Sequence, residues 1–191
     1  EQSAIIRNAH AVNQGEPPRL DNGQGDFFFL CRRSPDRLVQ TVVELCRERL
    51  PKNMGIPTEQ IQVLSPTRKG ACGTAALNRA LQAALNPPAA GRRQKQWGDV
   101  TFRMGDRVMQ TRNNYDVIWE KDDGTAGSGI FNGDVGVIQD IDPSGELIVI
   151  RFDDRTATYT ADMLAQLDMA YAITVHKSQG SEYPAVILTA A

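Results

Sequence analysis

Short apolar runs that lead through polar loops into segments of helical periodicity constrain this chain's fold more than any other feature. Ile61 to Ser65 (IQVLS) reads as a strand. It passes through Pro66-Thr67-Arg68-Lys69-Gly70 into Ala75 to Leu85, where Ala76, Ala80, Leu81, Ala84 and Leu85 share one helix face before Pro87-Pro88. Upstream, Asp26 to Cys31 (DFFFLC) is a continuous apolar run between Asn22-Gly23 and Ser34-Pro35, and predicts a strand buried on both faces. Ser34 as N-cap and Pro35 at the first helical position then open a helix in which Leu38, Val42, Leu45 and Arg49 keep a 3.6-residue period until Pro51 stops it. A first helix is expected over residues 4–13, with Ser3 as its cap and Gly15 and Pro17-Pro18 beyond its end. Parallel strands need crossover connections, so this alternation predicts an α/β fold with a parallel sheet.

From Val100 the pattern changes. FRMGDRVMQTR, FNGDVGVIQDI, ELIVIRF and TATYT are strand-like, with Asn132-Gly133 and Pro143-Ser144-Gly145 as turns between them. Residues 100–163 are therefore assigned to a small antiparallel β-barrel inserted into an α/β domain of residues 1–99 and 164–191. Gly124 to Gly129 (GTAGSG) reads as a flexible hairpin tip, and Trp97 and Trp119 as packing residues. The parallel pattern resumes with Ala170 to Val175 and Ala185 to Thr189. A doubly buried strand normally leads into a further crossover, and the chain opens on Glu1 rather than Met, so a piece of a longer protein is expected.

Charge separates the two parts. Residues 100–163 hold 6 Lys+Arg and 12 Asp+Glu, the remainder 15 and 11, so a nucleic-acid contact has to be local and the flanking part is the better phosphate-facing surface. Arg92 to Gln96 (RRQKQ) is a basic stretch that also reads as a linker. Cys31, Cys46 and Cys72 form no CxxC pair and have only His10 and His176 to join them, so they are read as free thiols and no metal site is expected. No apolar run approaches the roughly 20 residues of a membrane span, and no basic segment followed by an apolar one opens the chain; a cytoplasmic protein is expected.

The densest chemistry lies in Thr174 to Pro184 (TVHKSQGSEYP), after one strand candidate and before another, where ligands bind in α/β sheets. Thr174, His176 and Lys177 can donate to phosphate oxygens, Gly180 allows close backbone approach, and Glu182 can accept from a ribose hydroxyl. A polar loop with one structural histidine is the other reading. Thr67, Arg68 and Lys69 place a hydroxyl and two cations ahead of a helix N-terminus, which suits a phosphate, although a solvated turn has the same composition. Asn113, Asn114 and Tyr115 offer amides and a ring to an unpaired base, or form a turn with an anchoring tyrosine.

TVHKSQGSEYPAVIL resembles motif V of superfamily 1 helicases, and AYAITVHKSQGSE is similar to the RecD-like branch, the family of the exonuclease V alpha subunit and related 5′→3′ DNA helicases. VLSPTRKGACGTAALN resembles a motif of the same second RecA-like domain. FRMGDRVMQTRNNYD and IFNGDVGVI resemble the family's SH3-like barrel insert, and SAIIRNAHAVNQGEPP the stretch leading into that domain. The likeness runs along nearly the whole chain in family order.

This resemblance implies a P-loop-NTPase-like (RecA-like) domain that lacks the P-loop and carries an SH3-like barrel. It implies that Thr174 and His176, with Lys177 nearby, contact the phosphates of single-stranded DNA, and that Thr67, Arg68 and Lys69 hold the next stretch. Gln179 and Gly180 would lie at a nucleotide cleft, with Glu182 at the sugar. The expected partners are single-stranded DNA, a first RecA-like domain and other subunits of a nuclease complex, with ATP and Mg²⁺ as cofactors of the parent. No GxxxxGK[ST] occurs and no acidic run ends a strand, so no catalytic residue is expected here and these residues should not hydrolyse ATP alone. A non-catalytic protein-interaction module, docking through the acidic barrel, is the alternative. A nicotinamide-cofactor enzyme is disfavoured, because Gly23-Gln24-Gly25 lacks the third glycine and precedes a strand candidate.

Overall fold

The computed structural model describes residues 3–22 and 25–190. Glu1, Gln2, Gly23, Gln24 and Ala191 lie outside them, and with them the start at Glu1, the Asn22-Gly23 turn, most of the Gly23-Gln24-Gly25 stretch and the last residue of the chain. Contacts divide the chain into two compact units, Glu1–Ser34 and Pro35–Ala191.

In the first unit, helix α1 (Ala4–Asn13) is capped from two sides. Ser3 Oγ accepts from the Ile6 amide, and the Asp26 carboxylate accepts from the amides of Ala4 at 2.8 Å and Ile5 at 3.2 Å. The strand expected at Asp26 to Cys31 does not form, and Phe28, Phe29 and Leu30 are exposed. The Asn22 side chain takes the place of a neighbouring strand: its amide donates to Phe29 O at 2.7 Å and its oxygen accepts from Phe29 N at 2.6 Å. A hydrophobic run without a ladder partner is not a strand, whatever its β-propensity.

The second unit begins with α2 (Pro35–Glu44). Pro51 does not stop the helical path as expected. Leu45–Arg49 widen into a π-helical turn, and α3 (Leu50–Met54) continues with Pro51 in its first turn, where a missing N–H is tolerated. The path ends at Gly55, left-handed at φ 65°. Strand β1 (Ile61–Ser65), buried at every residue, follows, and then α4 (Thr74–Leu85), with Leu77 and Leu81 fully inside. These two, with Val42, Cys46, Ile61 and Val63, form the core of the α/β part.

Burial pushes the Cys46 thiol up to about 12. Alkylation of the native protein at pH 8, read by peptide mass spectrometry, should therefore label the exposed Cys31 and spare Cys46 until denaturant is added. Equal labelling of both in the native protein would contradict this burial.

A two-stranded antiparallel hairpin, β2 (Gln94–Trp97) with β3 (Val100–Arg103), leads into a seven-stranded antiparallel sheet. Its members are β4 (Arg107–Gln110), β5 (Asn114–Lys121), β6 (Ala126–Ile130), β7 (Val135–Ile141), β8 (Leu147–Phe152), β9 (Arg155–Thr160) and β10 (Leu167–Met169), in the spatial order β10-β4-β7-β8-β9-β5-β6. Alternation with period two turns Ile148, Ile150 and Phe152 of β8 into its core, beside Val108, Ile138 and Tyr159.

Gly124 to Gly129 is not a flexible tip, since Ala126–Ile130 pairs along β5. Its small residues answer a packing demand: a Cβ on Gly127 would stand 2.4 Å from the Trp119 ring. Trp119 does pack against the barrel core, whereas Trp97 stays 41% exposed. The basic stretch at Arg92 to Gln96 belongs to the barrel rather than to a linker, through Arg93 with Asp140 at 2.5 Å and Lys95 with Glu146 at 3.8 Å.

Beyond β10 the chain crosses back. Strand β11 (Ala172–Thr174) and strand β12 (Ala185–Leu188) flank β1 in a three-stranded parallel sheet of order β11-β1-β12, so the expected strand at Ala170 to Val175 is shorter and starts only after a two-residue crossover. Val186 and Leu188 remain exposed on one face of β12.

The barrel is joined to the α/β part by Asp106, which is fully buried. Its carboxylate accepts four hydrogen bonds, from Gln82 Nε2, Asn86 Nδ2 and the Arg103 amide at 2.7 Å each and from Tyr171 Oη at 2.8 Å. Helix α4, the β3–β4 turn and the crossover before β11 thus meet on one side chain. The Tyr171 phenol is pushed well above its ordinary value by burial, with Asp106 adding to the shift.

Candidate nucleic-acid interface

Parallel pairing places the C-terminal ends of β1 and β11 side by side, with Ser65 opposite Thr174. The two loops singled out in the sequence therefore emerge from adjacent strands. The first winds tightly back onto α4: Thr74 N donates to Thr67 O and Ala75 N to Arg68 O, while a Cβ on Gly73 would stand 2.4 Å from Lys69 O. These carbonyls satisfy the Thr74 and Ala75 N–H groups, so side chains are left as the main donors at this helix end. Thr67 Oγ1 donates to Lys69 O, Lys69 is exposed, and Arg68 forms an exposed ion pair with Asp168 of β10 at 3.0 Å.

After β11, residues Val175–Ser178 make one 3₁₀ turn, held by Ser178 Oγ donating to Val175 O. Thr174 is half-buried and His176 exposed. Lys177 leans toward the barrel, where its Nζ donates to Asn132 Oδ1 at 2.6 Å. Gln179 and Glu182 are exposed. Gly180 sits at φ 81°, with nothing within 4 Å of where a Cβ would stand, so its backbone is open to a ligand.

Asn132 carries the arrangement into the barrel. Its backbone N–H donates to Asn113 Oδ1 at 3.0 Å, and Asn113 Nδ2 reaches Tyr115 Oη at 3.4 Å. The Tyr115 and Phe131 rings meet edge to face, with centroids 5.6 Å apart. Asn114 turns to structural work, donating to Gln166 Oε1 and accepting from the Asp116 amide. Lys177, Asn113 and Tyr115, distant in sequence, thus lie along one connected path. Asn132 and Phe131 are the residues sequence reasoning missed. Asn132 was visible only as half of an Asn-Gly turn, and nothing in the sequence links it to Lys177. Among the described residues, no three His, Cys, Asp or Glu side chains converge as a metal site requires.

Residues 77–152 match the family model of the ATP-dependent RecD-like DNA helicase SH3 domain, and residues 169–191 that of the UvrD-like helicase C-terminal domain. An ATP-dependent RecD2 DNA helicase of Deinococcus radiodurans is 33% identical over 186 residues, 97% of this chain and 22% of that protein. An uncharacterized protein of Methanocaldococcus jannaschii is 24% identical over 173 residues, 82% of this chain and 14% of its own length. The chain therefore spans under a quarter of the curated relatives it matches. The crystal structure of Bacteroides Pif1 bound to ssDNA superimposes with a TM-score of 0.51 at 14% identity, over 98% of this chain and 43% of that one, a likeness of fold. An α/β part built on a parallel sheet, an SH3-type barrel, two helicase domain models in chain order and a relative aligned along almost every residue together make this chain similar to the RecD-like helicases.

Proposed function

We propose that these residues are the second motor domain, with its barrel, of an ATP-dependent 5′→3′ DNA helicase, and that they hold single-stranded DNA on one side and form one wall of a nucleotide cleft on the other. The observation that carries this reading is the pairing of β1 with β11, which brings two loops rich in hydroxyls and cations to one edge of the sheet. Thr67, Arg68, Lys69, Thr174, His176 and Lys177 supply donors for phosphate oxygens, and Asn113 and Tyr115 bring the barrel to the same strand, with Asn114 between them anchored on Gln166. Donors directed at a backbone give affinity without sequence preference. Gln179, Gly180 and Glu182 offer an amide, an open backbone and a carboxylate to the nucleotide. ATP with Mg²⁺ supplies the energy of stepping when bound between this domain and a first RecA-like domain. The phosphate cradle comes from that first domain, so the 191 residues alone are inactive. Work in DNA repair and recombination, in the cytoplasm and alongside nuclease subunits as an exonuclease V alpha chain, accords with the motifs.

The test uses the full-length protein. Thr174→Ala combined with His176→Ala should lower DNA-stimulated ATPase about tenfold or more while leaving DNA-independent ATPase within about twofold, because the phosphate contacts act only when the strand is present. Equal loss of both rates, or no loss of either, would reject the assignment.

A further inference from the structure

Residues 100–163 hold 12 Asp+Glu against 6 Lys+Arg, so charge alone gives the barrel a weak hold on a polyanion. Asp116 lies next to Tyr115 in sequence, and Asp134 accepts the Phe131 amide at 2.9 Å. What the barrel presents beside Lys177 is aromatic: Tyr115 is 66% exposed and Phe131 40% exposed, at an interplanar angle of 69°. Their placement is fixed from below. Gly129, at φ 102°, leaves room for the Phe131 ring, which would stand 2.8 Å from a Cβ there. Asn113 and Asn132 connect the pair to Lys177 by hydrogen bonds.

We propose that Tyr115 and Phe131 form a stacking platform for an unpaired base whose backbone passes Lys177, adding an uncharged contact to the strand grip. This rests on the strand-gripping reading above and deepens it, adding Phe131 to Tyr115 and assigning the pair to a base rather than to the backbone. Stacking on an aromatic face is tolerant of sequence and contributes little to counterion release, whereas each phosphate contact on a single strand steepens the salt dependence by about 0.7 in log K against log[salt]. Base contacts and charge contacts are thereby separable by experiment.

In the full-length protein, binding of a fluorescent oligothymidylate and of an equally long strand of abasic nucleotides is measured across a salt series. The wild type should bind the abasic strand about tenfold more weakly. Tyr115→Ala with Phe131→Ala should lose about tenfold on the oligothymidylate, keep its salt slope and lose almost nothing further on the abasic strand. The exchange Tyr115→Phe with Phe131→Tyr keeps both faces and should bind as the wild type does. Lys177→Ala should instead flatten the slope by about 0.7. Equal wild-type affinity for the two strands, or equal loss by the alanine variant on both, overturns the platform while leaving the phosphate grip standing. Failure of the wild type to bind either strand overturns the grip and the platform with it.

Discussion

Asp106→Ala should lower the unfolding free energy of this chain by about 4 kcal/mol, the largest effect of any single polar substitution considered for it. Four donors converge on that carboxylate, and three of them sit in buried residues, Arg103 and Asn86 at 6% and Tyr171 at 8% exposure, while Gln82 is half-buried. Hydrogen bonds to a charged group contribute about 1.5–3 kcal/mol each, but they share one acceptor and relax together, so the sum is not the expected loss. At about 2–4 °C per kcal/mol for a domain of this size, the melting temperature followed by circular dichroism should fall by roughly 10 °C. Glu146→Ala, at an exposed residue, should stay within about 0.5 kcal/mol. A loss below about 1 kcal/mol for Asp106→Ala would show that the packing of Met109 on Leu64 and Ile173 and the Arg107 bonds to the Glu59 and Ile61 carbonyls hold barrel and sheet together without it.

Asp106 also marks the boundary of what the sequence discloses. Asp106 lies inside the segment FRMGDRVMQTR that reads as strand-like, and only the fold shows that its partners come from Gln82, Asn86 and Tyr171. Local signals did well where the local physics decides. The apolar run of β1, the helical period of α4, the Ser3 cap and the Asn132-Gly133 turn stand where expected, because each is fixed by neighbours within a few residues. Signals failed where distant partners decide. Phe27 to Leu30 has the composition of a buried strand but no ladder, while the small residues of Ala126–Ile130 make a strand because Trp119 lies across them. The candidate interface divides in the same way. Thr67 and Thr174 were legible as donors at strand ends, but the Lys177–Asn132 contact spans 45 positions and the Arg68–Asp168 pair spans 100, and no local pattern encodes either.

Asn78→Ala is the second large effect, and it tests how the two loops of the interface are kept in register. An asparagine inside a helix opposes helix propensity by several tenths of a kcal/mol, so its presence in α4 calls for a compensating contact. It has three: Nδ2 donates to Ala172 O at 2.9 Å and to Met169 O at 3.1 Å, and Oδ1 accepts from Ala172 N at 2.8 Å. Helix α4 follows directly from the Thr67–Lys69 loop and β11 leads directly into Thr174, so this one amide ties together the elements that carry both loops. Removing it leaves a buried N–H and two carbonyls without partners and should cost about 3 kcal/mol by chemical denaturation. Asn78→Asp keeps the acceptor for Ala172 N but sets a carboxyl oxygen against two carbonyls, and should be at least as unstable as the alanine variant. In the full-length protein at a temperature where both variants remain folded, strand affinity should fall several-fold although Asn78 touches no ligand, because Thr174 loses its fixed place relative to Thr67. An aspartate variant more stable than the alanine variant, or unchanged affinity in both, would mean that β11 is held by its pairing with β1 alone.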